Sequence, residues 1–79
     1  MLVLFIDIVY RFKEKSWCEP VGKETFATLS EAKLQCSKDP SCAMFYDLYG
    51  RGNKFFWCGQ GAEIKTATSG SILHIKGSE

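Results

Sequence analysis

"CSKDPSCAMFYD", residues 36–47, sets two cysteines around an Asp-Pro turn and then runs straight into an aromatic stretch. Three chemistries compete for that spacing: a metal clamp, a reactive thiol pair and a covalent staple. A zinc site wants clustered ligand pairs, because two close cysteines let one short turn present both sulfurs to one tetrahedral ion. The chain has no C-x-x-C: Cys18, Cys36, Cys42 and Cys58 are separated by 17, 5 and 15 residues, and the only histidine, His74, stands alone in an apolar stretch. Cysteine catalysis needs a thiolate beside a base, and one distant histidine is a poor provider. The staple remains. An even set of cysteines in a 79-residue chain is the usual pattern of a secreted domain too small to be held by its hydrophobic core alone.

Working upstream, "WCEPVGKETFATLSEAKLQC" (17–36) carries turn residues at Pro20 and Gly22 and then a helix start. Thr28 is a cap, and Glu31, three residues on, is placed to reach back to the cap's own backbone N–H. Leu29, Ala32 and Cys36 share one face of this short helix, with Ser30, Glu31, Lys33 and Gln35 largely outward, and Pro40 stops it.

Downstream, "CAMFYDLYG" (42–50) reads as a strand, "GRGN" (50–53) as a turn and "KFFWCG" (54–59) as the partner strand. Phe56 and Cys58 fall on one face of that second strand, Phe55 and Trp57 on the other. A hairpin apolar on both sides has to be sandwiched, between the helix on one face and a second element on the other. The N-terminal strand is the natural candidate. The tail, residues 59–79, begins as a loop, contributes a short strand around Ile64 and ends in a strand at "SILHIK" (71–76), where His74 is a packed or rim side chain.

"MLVLFIDIVYRF" (1–12) is the most apolar segment. It is too short for a membrane span, which needs about 20 apolar residues, and it lacks the basic start and small-residue end of a signal peptide; a truncated remnant of one is the alternative. As a strand, Leu2, Leu4, Ile6, Ile8, Tyr10 and Phe12 make one apolar face. Such a strand at a sheet edge would template pairing with a second copy, so a homodimer through it is expected. Residues 1–16 are accordingly set apart from a domain at 17–79.

A helix ending in a cysteine, five residues, a second cysteine opening an aromatic strand, and a hairpin closing on a third cysteine resemble the PAN/apple family of extracellular modules. The residues that carry the likeness are "LSEAKLQCSKDPSCAMFYD" and "KFFWC", within roughly residues 17–76. The resemblance implies an α+β fold: one short helix on a curved antiparallel sheet, stapled by disulfides. It pairs Cys36 with Cys42. The family's other helical cysteine would fall one turn earlier, where this chain has Ala32, and its usual partner Cys58 is left for Cys18. Family members bind proteins or carbohydrates and are not catalysts.

Ten basic and nine acidic side chains create no field that argues for nucleic acid or membrane insertion. Neither a cofactor nor a metal site is expected. Asp39, Asp47 and Glu63 could be paired as acid and base, yet carboxylates at turns usually bind backbone N–H groups. The expected function is non-catalytic binding or adhesion, secreted or extracellular, with a carbohydrate or a protein as partner. Tyr46, Tyr49, Arg51, Lys54 and Trp57 around the hairpin supply the aromatic area and donors for it. A self-associating adhesive protein, or a fragment of a larger receptor or protease, is the competing expectation.

Overall fold

A computed structural model describes residues 9–77. Among them, one helix packs on a five-stranded antiparallel sheet. The elements are β1 (Tyr10–Glu14), β2 (Ser16–Phe26), α1 (Leu29–Lys38), β3 (Cys42–Asp47), a 3-10 turn (Leu48–Gly50), β4 (Phe55–Thr66) and β5 (Ile72–Lys76), and the strand order is β1-β5-β3-β4-β2. The sheet is not strongly curled; its main change of direction lies in the outer β2–β4 pair.

α1 begins where the sequence places it. The Thr28 hydroxyl accepts the Glu31 N–H at 3.1 Å. The reciprocal bond of Glu31 reaches Ala27 N–H at 3.5 Å, one residue before the cap rather than the cap's own amide. Ala32 and Cys36 are buried, whereas Leu29 is exposed, because the helix meets the sheet from Ala32 onward. At its far end Lys76 donates to the carbonyls of Cys36 (2.6 Å), Asp39 (3.0 Å) and Cys42 (3.2 Å), placing a positive charge at the helix C-terminus and tying it to the start of β3.

The two faces of β3 and β4 divide the core. Towards the helix, Ala32, Cys36, Cys42, Phe45 and Phe55 pack with Tyr10, Phe26 and Trp57; on the other face Cys18, Met44, Tyr46, Cys58 and Leu73 pack with Trp17, Phe56 and Ile75. Disulfides join Cys36 to Cys42 and Cys18 to Cys58.

Three expectations change. Pro20 and Gly22 do not make a turn but lie inside β2, where the register with β4 slips between Glu19 and Val21 and again before Thr25. The element expected around Ile64 is not a separate strand but the second half of the twelve-residue β4, whose partner is β2. Among the described residues, the second face of the hairpin packs against Trp17, Cys18 and Ala62 of this ribbon rather than against the N-terminal strand. Glu19 pairs with Glu63 and Val21 with Cys58, so one residue on β2, Pro20, faces four on β4, 59–62, and the pair bends there. Beyond the bend the Ser16 N–H reaches Ser71 O at 3.1 Å, the Ala67 N–H reaches Lys15 O at 2.8 Å, and Trp17 sits edge-on to Tyr46 at 6.0 Å. β1 is instead an outer strand beside β5, with Phe12 67 % exposed. The expected strand positions Leu2, Leu4, Ile6 and Ile8 lie outside the described residues.

Candidate functional site

The connection between β3 and β4 is built around Asp47. Its buried carboxylate accepts the Gly52 N–H through both oxygens, at 2.9 and 3.0 Å, and Leu48 N–H bonds Lys54 O at 3.0 Å. Within this frame Tyr49 adopts φ 62°, ψ 7°, a left-handed conformation that costs a non-glycine residue about 1–2 kcal/mol. Two contacts hold it there. The Tyr49 N–H donates to Ser71 Oγ at 3.4 Å, and Gly50 lies so close to Gly70 that an added Cβ would stand 2.7 Å from the Gly70 carbonyl. The outcome is a tyrosine ring 52 % exposed, with the Arg51 guanidinium 5.4 Å from its centroid.

Tyr49 forms one wall of an open groove of about 380 Å³ with Trp17, Tyr46 and Leu48, and the facing wall is the segment Thr66 to Ser71. Ser71 is buried and its hydroxyl is engaged by Tyr49 N–H and Ser69 Oγ; Thr66, Thr68 and Ser69 are exposed. Tyr46 is only 7 % exposed, stacked on Phe56 at 5.3 Å, so it is floor rather than reaching arm. Burial, with the Glu19 carboxylate adding to it, raises its phenol above the ordinary range.

The structure therefore brings Tyr46, Tyr49 and Arg51 together and sets Lys54 on the same side, its ammonium 5.6 Å from the Phe56 ring. It separates Trp57, which points to the helix face. Trp17 and the hydroxyls of 66–71 were not among the sequence candidates. Their signal was hidden because only the β2–β4 pairing carries Trp17 onto Tyr46.

His74 is packed on the helix side, stacked on Phe45 at 4.9 Å with Phe12 at 6.5 Å on its other flank. Burial and then the Lys33 charge hold its imidazole below the ordinary value, against a smaller opposing pull from Asp47. Among the described residues there is no cluster of three or more metal-ligating side chains, and all four cysteines are bridged.

No family model, no curated protein and no solved structure matches the chain, and no family is assigned. Fold and bridges define a small disulfide-bonded α+β domain. Two disulfides suit an oxidising, extracellular environment, and among the described residues no helix is long and apolar enough to cross a membrane.

Proposed function

We propose that the chain is a secreted, non-catalytic binding module of the PAN/apple kind that takes carbohydrate in the groove between Tyr49 and the 66–71 segment. The observation that carries this reading is Tyr49 itself, held in a left-handed backbone so that its ring stands beside Trp17 and a row of hydroxyls. Aromatic faces stack on the C–H face of a sugar ring, while the hydroxyls of Thr66, Thr68 and Ser69 exchange hydrogen bonds with those of the sugar. Backbone strain at a surface position that the loop over-determines is a mark of sites shaped for recognition. The helix, staple and hairpin pattern around Cys36 and Cys42 supports the PAN/apple reading of the scaffold.

Glycan-array binding by the full chain, lost in Tyr49→Ala, is the expected result. A blank array together with a pull-down weakened by Tyr49→Ala would move the ligand to the protein class. A second reading, self-association, is favoured by one observation: β1 ends the sheet without proline or bulge, and Phe12 is exposed on it. Sedimentation velocity across a hundredfold range of concentration separates a dimer, lost on deleting residues 1–12, from a monomer.

A further inference from the structure

Trp57 belongs to neither the core proper nor the Tyr49 groove. Along β4, Phe56 and Cys58 face the Tyr46 side, while Trp57 faces the helix side. There its indole rests against the backbone of Gly22: a Cβ on that residue would stand 2.2 Å from Cε2 and 2.4 Å from Nε1. Only glycine admits the ring in this place. Two shallow depressions meet at the indole. One, of about 410 Å³, runs past Pro20, Val21 and Gln60; the other, of about 230 Å³, runs past Glu24, Gln35, Lys38 and Asp39.

The polar groups around the ring are oriented. Ser41 donates both its N–H and its hydroxyl to Asp39 Oδ1, at 2.9 and 2.7 Å, which fixes the carboxylate and leaves Oδ2 for another donor. The Gln60 amide N–H donates to Pro40 O at 3.4 Å, so its carbonyl oxygen is the end left to accept. Two carboxylates and the amide oxygens, with the single ammonium of Lys38 among them, make a mainly acceptor rim around an apolar plate. That is the complement of a neutral sugar, whose hydroxyls donate at its edge and whose C–H face is apolar. The Tyr49 groove differs: no carboxylate lines it, and Arg51 and Lys54 stand beside it.

We propose that the Trp57 face is a second carbohydrate site, selective for neutral sugars, and that the two sites on opposite faces of the sheet make a single chain a cross-linker of branched glycans. This rests on the sugar reading of the Tyr49 groove. It requires no dimer, because each chain already presents two faces.

The test uses the isotope-labelled full chain titrated with chitotriose, N-acetyllactosamine and mannotriose as neutral probes and a chondroitin sulfate tetrasaccharide as the acidic one, read by amide and indole resonances. At least one neutral probe should shift the Trp57 indole, Gln60 and Gly22 signals. Trp57→Ala should weaken that binding tenfold or more, while Tyr49→Ala changes it less than twofold. Glu24→Ala and Gln35→Ala leave the core intact and should each weaken it several-fold, which keeps the test decisive if Trp57→Ala fails to fold. Beads carrying the neutral probe and beads carrying the acidic one should co-aggregate with the wild-type chain and not with either single-site variant. The second site is overturned if every sugar response is lost in Tyr49→Ala or if the helix-face variants bind normally, and the Tyr49 reading then survives. Silence from all probes, by contrast, removes both.

Discussion

Tyr49 and Gly22 are opposite uses of the same backbone rule. Tyr49 carries a side chain where the left-handed conformation favours glycine, and Gly22 omits a side chain where the Trp57 indole has taken its place. Tyr49→Gly relieves about 1–2 kcal/mol of strain and loosens the unfolded chain by about 0.5–1 kcal/mol, so stability in urea should stay level or rise by up to about 1.5 kcal/mol while groove binding disappears. A fall of more than about 2 kcal/mol would show that the ring is structural, not presented. Gly22→Ala should behave in the opposite sense: the methyl displaces the indole, costs about 1–3 kcal/mol, and alters the Trp57 fluorescence while Trp17 is left in place. Neither position was legible as such in the sequence. Tyr49 read as a binding aromatic at the hairpin, but its left-handed backbone depends on Ser71 and Gly70, some twenty residues away. Gly22 read as a turn former because nothing local reveals that Trp57 will lie across it.

At the level of elements, the two disulfides do different work. Cys36–Cys42 closes a loop with a separation of 6 residues and Cys18–Cys58 one of 40. With loop-closure entropy rising as the logarithm of loop length, the long bridge is worth about 4 kcal/mol and the short one about 2.5 kcal/mol. Replacing the Cys18–Cys58 pair by alanines should therefore cost about 1.5 kcal/mol more than replacing the Cys36–Cys42 pair, measured by denaturant unfolding of the two double variants. Equal losses would mean that the short bridge's junction, already held by three carbonyl bonds from Lys76, matters more than chain entropy. The helix start, the helix stop and the first half of the hairpin were plain from capping, proline and alternation, all short-range signals. The long β2–β4 ribbon was not. Its glycines and proline mark a bend between strands that go on pairing, and a one-dimensional pattern reads such residues as chain breaks.

For the whole molecule, acid response should trace to one side chain. His74 is the sole histidine; it packs between Phe45 and Phe12, with the Lys33 charge opposing its protonation and the Asp47 charge favouring it. Because its folded-state pKa lies below the ordinary value near 6.5, the unfolded chain takes up a proton more readily than the folded one. Stability is then full above about pH 6.5 and declines as pH falls towards the folded pKa. Asp39 acts in the same sense but lower on the axis: its carboxyl is held below the ordinary range by Ser41, so its contribution is lost only as the medium falls through the carboxylate range. The interval between about pH 5 and 6.5 thus belongs to His74. Thermal unfolding midpoints should fall on going from pH 7 to pH 5 in the wild type and stay flat over that interval in His74→Gln, whatever that substitution does to the midpoint at pH 7. A wild-type curve that is flat there would mean that β1, which lays Phe12 against the imidazole, yields enough to let the ring charge in water.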